Sequence, residues 1–252
     1  MEAIDAARRL LARSRRAVAF TGAGVSTASG VPDFRSPGGI WSRYRPVTIQ
    51  EFRASAEARR RYWLYKKETY ADFAQARPNA AHAALARLEA EGRMLGVITQ
   101  NIDGLHQDAG SRRVVELHGT NRRVECLGCG HTGPAAEAQE RLLAGEDVPA
   151  CAACGGPLKA ATISFGQALR PEVLEEAFAL AREADLLLVL GSSLVVYPAA
   201  AIPEAAAARG APMVIINREP TPLDGLAAAA LRGEVELVLP ALVDGANPDE
   251  FR

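Results

Sequence analysis

The spacing of apolar positions along the chain changes repeatedly between two periods. Over residues 2–13, Ile4, Ala7, Leu10 and Leu11 recur at helical spacing and predict an opening helix. The short apolar run 17–20 reads as a buried strand, and it opens into the turn Thr21-Gly22-Ala23-Gly24. Strand-like text returns at 94–99, 113–117, 161–165, 185–190, 213–216 and 235–239. Helical text lies between, at 80–91 after Pro78-Asn79, at 171–183 and at 199–209. Strands that alternate with helices predict a parallel sheet covered on both faces.

Two segments break this alternation. From Val31 to about Arg77 the chain passes through a loop punctuated by Pro32, Pro37, Gly38, Gly39 and Pro46, then through polar, aromatic helical text at 51–73. Residues 123–158 contain every cysteine and no long periodic segment. Both read as insertions that build a second, smaller lobe. The expected organisation is a sheet domain from residues 1–35, 78–122 and 159–252. A helical module at 36–77 and a cysteine module at 123–158 make up the small lobe.

Composition narrows the function classes. A chain of 252 residues that is 48% hydrophobic can bury a sizeable core. With 29 basic and 30 acidic residues the net charge is −1, which argues against a general nucleic-acid or membrane binder. In 123–158 the cations are few beside Glu125, Glu137, Glu140, Glu146 and Asp147, so a nucleic-acid-binding zinc ribbon is also disfavoured. The first sixteen residues are charged throughout, and the strongest apolar stretch, 186–190, is far too short to span a bilayer. The expectation is a cytoplasmic protein.

Cys126-Leu-Gly-Cys129 and Cys151-Ala-Ala-Cys154 form a doubled CxxC pattern. Two such knuckles can present four thiolates to one Zn²⁺, and Gly128, Gly130, Gly155 and Gly156 suit their tight turns. Four thiolates leave no position for water, so the zinc is expected to be structural. Disulfides are the weaker reading without a secretory context. His131 is expected to be an exposed loop residue.

Gly22-Ala-Gly24 after a strand can bring backbone N–H groups to a pyrophosphate. The hydride-transfer fingerprint is incomplete, because Thr27 takes the third glycine position and the acid expected about twenty residues on is missing. A nucleotide site is favoured and an ordinary dehydrogenase is not. The strand at 94–99 ends in Gln100-Asn101-Ile102-Asp103-Gly104-Leu105-His106, whose amides suit ribose hydroxyls and a carboxamide. The strand at 113–117 ends in His118, placed to serve as a general base near neutral pH. His82 and His106 read as packed or capping histidines.

Taken in order, these blocks resemble the sirtuins, NAD-dependent protein deacylases built on a single catalytic core. The matching blocks are residues 22–35 (Gly-Ala-Gly-Val-Ser-Thr-Ala-Ser-Gly-Val-Pro-Asp-Phe-Arg), 99–106, Glu116-Leu-His-Gly119, the two CxxC pairs, Phe165-Gly166, Gly191-Ser-Ser-Leu194 and Ile216-Asn217. The resemblance implies a Rossmann-like NAD domain and a small lobe of zinc and helical modules, with NAD and an acylated lysine entering between them. It implies that Gly22, Ala23, Gly24 and Thr27 contact the NAD phosphates and neighbouring ribose. Asp33, Phe34 and Arg35 would form a cofactor loop, with Phe34 shielding the reactive sugar carbon. Gln100 and Asn101 would hold the nicotinamide ribose, and Asp103 would orient the carboxamide. Gly191, Ser192, Ser193 and Asn217 would bind the adenosine half. His118 would be the base, and Asn101 counts with it as catalytic. Ser164, Phe165, Gly166 and Val196 would receive the substrate peptide as an added strand. The implied products are nicotinamide, O-acyl-ADP-ribose and free lysine.

The chain departs from the family pattern at the peptide edge. Gln167 stands where an acid often follows Phe-Gly, and Ser164 where a bulky apolar residue is common. Members that prefer succinyl or malonyl groups carry a Tyr-x-x-Arg pair, which Trp63-Leu-Tyr-Lys66 lacks in register. The resemblance therefore implies acetyl or another uncharged acyl group. Mono-ADP-ribosyl transfer and NAD hydrolysis at the same site are the alternatives.

Overall fold

A computed structural model of the chain describes residues 2–31 and 44–245. Among these residues, nine strands fall into two sheets. The larger holds β1 (Ala17–Thr21), β2 (Met94–Thr99), β3 (Val114–Glu116), β7 (Leu186–Leu190), β8 (Met213–Asn217) and β9 (Ala229–Arg232), all parallel, in the order β3-β2-β1-β7-β8-β9. The order reverses direction between β1 and β7, so a crevice opens at their carboxyl ends, where doubly wound sheets bind ligands.

Alternate strand residues feed two cores. Ala17, Ala19, Val97, Leu186, Leu188, Leu190, Val214 and Ile216 pack under α1 (Glu2–Arg13), α4 (Ala80–Ala90) and α9 (Val235–Asp244). Val18, Phe20, Ile98, Leu187, Val189, Met213 and Ile215 face α7 (Pro171–Glu183) and α8 (Ala201–Ala208). The central strands β1 and β7 are buried at every position, which explains their unbroken apolar runs.

Two expected strands move. Residues 235–239 are helical, because Val235, Val238, Leu239 and Leu242 form one buried stripe at i, i+3, i+4 and i+7. A short branched apolar run does not by itself separate strand from helix. The actual edge strand, β9, is Ala-Ala-Leu-Arg, a sequence of weak β propensity that pairs only with β8 in the sheet. The run expected at 161–165 is β6 (Leu158–Thr162), displaced toward the second cysteine pair.

The second sheet is antiparallel, in the order β5-β4-β6, with β4 spanning Gly119–Cys126 and β5 Thr132–Pro134. Helix α6 (Ala135–Leu143) lies in the same insertion. The other insertion supplies α2 (Ile49–Ala54) and α3 (Ala56–Gln75). A capping box starts α2: Thr48 Oγ1 accepts from the Glu51 amide at 3.1 Å, and Glu51 accepts from the Thr48 amide at 2.9 Å.

One core unites the two insertions: Phe52, Tyr62 and Trp63 pack on Val124, Cys126, Ala138, Leu142, Leu158 and Ala160. Polar ties add direction, since Trp63 Nε1 donates to the Leu158 carbonyl at 3.1 Å and Tyr62 Oη accepts from the Ala160 amide at 3.1 Å. A helix, α5 (Leu105–Asp108), completes the larger lobe below the crevice.

Candidate active site

The crevice begins with backbone packed on backbone. The Gly22 amide donates to the Leu190 carbonyl at 3.0 Å and the Gly24 amide to the Gly191 carbonyl at 2.9 Å. A Cβ on Gly22 would lie 2.7 Å from the Gly191 oxygen, and one on Gly24 would lie 2.8 Å from the Gly191 Cα. Gly191 itself has φ +58° and no room, its Cβ position being 2.5 Å from the Val25 nitrogen. Only glycine lets the turns after β1 and β7 close to this distance. The result is a shallow cradle of small residues, the kind of surface a pyrophosphate can approach.

Behind the cradle lies a buried polar network. Ser26 Oγ donates to Asp103 Oδ2 at 2.8 Å and accepts from Asn101 Nδ2 at 3.0 Å. Asp103 Oδ1 accepts from the Leu105 amide at 2.9 Å, so the carboxylate also satisfies the first amide of α5. Thr21 Oγ1 donates to Thr99 Oγ1 at 2.8 Å, and Thr99 Oγ1 accepts from the Asn101 amide at 3.0 Å. Gln100 reaches across the sheet, its Nε2 donating to Ser192 Oγ at 2.8 Å. The amides after β2 are thus held by hydrogen bonds within the protein.

His82 and His106 pack in this network as expected. His82 Nδ1 accepts from the Asn79 amide at 3.3 Å and helps cap α4. Burial lowers the pKa of His82 to about 4, partly offset by Asp103, and that of His106 to about 3, with His82 adding to the fall. Both rings are neutral near pH 7.

His118 follows β3 and is half-buried. Its Nδ1 lies 2.9 Å from the Gln100 carbonyl oxygen, which fits an Nδ1–H donor and makes Nε2 the basic nitrogen. The His118 carbonyl accepts from the Ile163 amide at 2.8 Å, which ties the histidine to the segment after β6. That segment is braced by the small lobe: the Ile49 amide donates to the Phe165 carbonyl at 3.0 Å, and Gln50 Nε2 to the Gly166 carbonyl at 3.1 Å. Gln167 Oε1 accepts from the Ser164 amide at 3.1 Å, so the residue that departs from the family pattern folds back onto the edge.

These parts line one cavity of about 570 Å³. It brings together Gly22, Ala23, Gly24, Thr27, Gln100, Asn101, His118, Ser164, Phe165, Gly166, Gly191, Ser192, Ser193, Val196 and Asn217. Asp103 is absent from the lining and sits one layer behind it, on Ser26. Asp33, Phe34 and Arg35 lie outside the described residues. The small lobe adds Tyr62, Tyr65 and Lys66, of which the sequence reading met only Tyr65 and Lys66, within Trp63-Leu-Tyr-Lys66, and gave neither a role. Their signal in the sequence was weak, because an aromatic-rich helix with no clear apolar stripe does not reveal which face meets a cleft.

The donor set fits a dinucleotide. Glycine amides, hydroxyls and neutral amides line the lobe-facing wall, and Asn217 ends β8 beside the exposed Arg218–Glu234 pair. The cysteines fit a metal. All four Sγ atoms lie within 4.8 Å of one another, with Cys126 to Cys154 at 3.5 Å and Cys129 to Cys151 at 3.8 Å. A tetrahedron with Zn–S of about 2.3 Å has edges of about 3.8 Å. The Gly128 amide donates to Cys126 Sγ at 3.3 Å and the Gly156 amide to Cys154 Sγ at 3.4 Å, as thiolates require. His131 is exposed and lies outside the cluster. Among the described residues no helix is long and apolar enough to cross a membrane.

Comparison with known proteins agrees with this geometry. A family model described as the Sir2 family matches residues 22–198. The chain is 47% identical to NAD-dependent protein deacetylase 2 of Streptomyces coelicolor, over 90% of this chain and 95% of that one. It is 44% identical to the NAD-dependent protein deacetylase of Haloarcula marismortui, over 96% and 94%. Its fold is similar to that of a Sir2 protein solved with a deacetylated p53 peptide and 3′-O-acetyl ADP-ribose. There the TM-score is 0.86 and the identity 40%, over 94% of this chain and 96% of that one.

Proposed function

Since the chain belongs to the Sir2 family, we propose that it is an NAD-dependent protein-lysine deacylase that removes acetyl groups from lysine side chains. The observation that carries the reading is a single cavity holding the glycine cradle, the braced amides after β2, His118 and the edge at 164–166. We assign the cradle residues, Thr27, Gln100, Asn101, Ser192, Ser193 and Asn217 to the co-substrate, and Ser164, Phe165, Gly166 and Val196 to the acylated peptide. Asp33, Phe34 and Arg35 keep the role of a cofactor loop in this proposal.

When bound, NAD supplies an ADP-ribosyl group that parts from nicotinamide and takes the acyl group. The protein's share is positioning and proton transfer. His118 accepts a proton at Nε2 while the Gln100 carbonyl holds its Nδ1–H, which keeps the ring in one tautomer and orientation. Asn101 is presented by Ser26, and Ser26 is oriented by the buried Asp103, so Asp103 acts through its neighbours. Zinc, held by Cys126, Cys129, Cys151 and Cys154, fixes the knuckles of the small lobe and takes no part in proton transfer. The division into residues 1–35, 78–122 and 159–252, with modules at 36–77 and 123–158, belongs to the same proposal, as does a cytoplasmic location.

The test is incubation with NAD and an acetyl-lysine peptide, with products identified by mass spectrometry. Free lysine peptide and O-acetyl-ADP-ribose, both lost in His118→Ala, are expected. NAD consumption that leaves the peptide acetylated would replace this reading with ADP-ribosyl transfer or NAD hydrolysis.

A further inference from the structure

The turn after β2 is gripped from outside the larger sheet. It brings Gln100, Asn101 and Ile102 to the cavity wall. Strand β4, which runs on into the small lobe and ends at Cys126, holds two successive carbonyls of this turn. The Asn121 amide donates to the Ile102 carbonyl at 2.8 Å, and Arg122 Nε donates to the Asp103 carbonyl at 2.9 Å. The same guanidinium forks onto Asp108, the last residue of α5, with Nη1 donating to Oδ1 at 2.7 Å and Nη2 to Oδ2. Arg122 therefore straps the turn to the far end of the short helix that follows it.

The chain leaves room for this strap at Gly104. Gly104 has φ +73°, and a Cβ there would lie 2.7 Å from both Cδ and Cζ of Arg122 and closer still to Nε. The guanidinium faces the carboxylates of Asp108, Asp103 and Glu116; its hydrogen bonds to Asp108 do most to raise its pKa. Glu116 closes β3, two residues before His118. Arg122 thus stands between the strand end that leads to Asn101 and the one that leads to His118. Stability does not account for this bond set. The side chains of Arg122 and Asp108 are 45% and 38% exposed, and ion pairs at such exposure add little. The geometric consequence is specific. The Asp103 carboxylate accepts from Ser26, and Ser26 accepts from Asn101, so a shift of the Asp103 backbone moves the group that orients Asn101.

We propose that Arg122 is a positioning residue for the co-substrate: by holding the Asp103 carbonyl and Asp108 together, it keeps the turn at 101–104 in the arrangement that presents Asn101 to the nicotinamide ribose of NAD. The inference rests on the NAD reading of this cavity. Arg122 does not line the cavity and acts through the turn alone. Without the strap the turn samples other arrangements, and the apparent affinity for NAD falls in proportion to the competent fraction.

The test is titration calorimetry of the wild type, Arg122→Ala and Arg122→Lys with two ligands, NAD and AMP, the second of which lacks the nicotinamide ribose. A competent fraction reduced to about a tenth raises the NAD Kd about tenfold in Arg122→Ala, while the AMP Kd stays at the wild-type value. Arg122→Lys should fall between the two proteins, because an ammonium keeps one contact but cannot form the fork. In steady state the KM for NAD should rise by the same factor, with the KM for an acetyl-lysine peptide unchanged. Because each variant is scored on its own NAD-to-AMP ratio, a general loss of folded protein does not mimic the result. A ratio unchanged in Arg122→Ala, or an equal loss of affinity for both ligands, overturns the proposal. A wild type that binds neither ligand overturns the NAD reading and the role of Arg122 with it. The expected ratios in a protein that releases no free lysine peptide would overturn the deacylase reading alone and leave Arg122 in its role.

Discussion

Gly191→Ala puts a single methyl group where two turns meet. The site has two costs that can be separated. The backbone sits at φ +58°, a conformation that costs an L-residue about 1–2 kcal/mol. The methyl would also lie 2.5 Å from the Val25 nitrogen and 2.6 Å from the Gly24 carbonyl carbon, against 3.4 Å or more for ordinary contact. Both clashing atoms are backbone in the turn after β1, so no rotamer change relieves them. The turns must part, and such overpacking costs about 1–3 kcal/mol. Gly92→Ala is the control, because Gly92 has φ +70° and nothing within 4 Å of its Cβ position. Urea unfolding should show Gly92→Ala destabilised by about 1–2 kcal/mol through the backbone alone. Gly191→Ala should be destabilised by about 2–5 kcal/mol in total. Titration calorimetry with NAD should show at least about tenfold weaker binding for Gly191→Ala, equivalent to about 1.4 kcal/mol, and none for Gly92→Ala. Equal destabilisation of the two variants, with NAD affinity unchanged in both, would refute the claim that close approach of these turns makes the cradle.

Other predictions follow from the same contacts. His82 and His106 are neutral in the folded protein, with pKa values of about 4 and about 3, below the ordinary histidine value. The unfolded chain therefore binds more protons between pH 6.5 and about 4, and stability should fall with pH across that window by up to about 1.4 kcal/mol per pH unit per histidine. Urea midpoints at pH 7, 6 and 5 should show this slope, and His106→Gln should flatten it; an unchanged slope counts against His106 as a source. Removal of zinc by a chelator should release one metal per chain and abolish near-ultraviolet signals of Trp63, whose core contains Cys126 and Cys151; a metal-free protein that keeps those signals would show the small lobe holds without it. Trp63→Phe deletes the bond to the Leu158 carbonyl and leaves that oxygen unpartnered by the side chain, at a cost of about 1–3 kcal/mol in urea unfolding. A loss below the noise of that measurement would mean that the bond contributes nothing net.

What the sequence disclosed depended on whether a residue's role was local. The four cysteines announce themselves because knuckle spacing is a short-range property, and the fold brings their sulfurs within 4.8 Å. Strands β1, β2, β7 and β8 were legible because burial on both faces keeps them apolar up to the polar residues at their carboxyl ends. Edge strand β9 and the short strand β5 were not, since an Ala-Ala-Leu-Arg or Thr-Gly-Pro segment becomes a strand only through its partner. The same division runs through the site. Gly191 is distant in sequence from Gly22 and Gly24, and only tertiary packing shows that it and they leave each other no room for a side chain. Asp103 was expected beside the ligand; it does not line the cavity, and its two oxygens accept from Ser26 and from the Leu105 amide.

Lys66 illustrates the limit most sharply. In sequence it is one of two adjacent lysines on a polar helix, set apart from Lys67 only by ending the stretch Trp63-Leu-Tyr-Lys66 that was matched to the Tyr-x-x-Arg pair. In the fold Lys67 is exposed and donates to the Leu142 carbonyl at 3.0 Å, while Lys66 turns inward to Asn121. A helical rotation of about 100° per residue is enough to send one ammonium to solvent and the next into the cleft. Partial burial lowers the pKa of Lys66 to about 7, whereas Lys67 stays at the surface. The sequence therefore conveys the reaction through residues fixed by short-range pattern. Which face of α3 meets the other lobe, by contrast, is a property of packing alone.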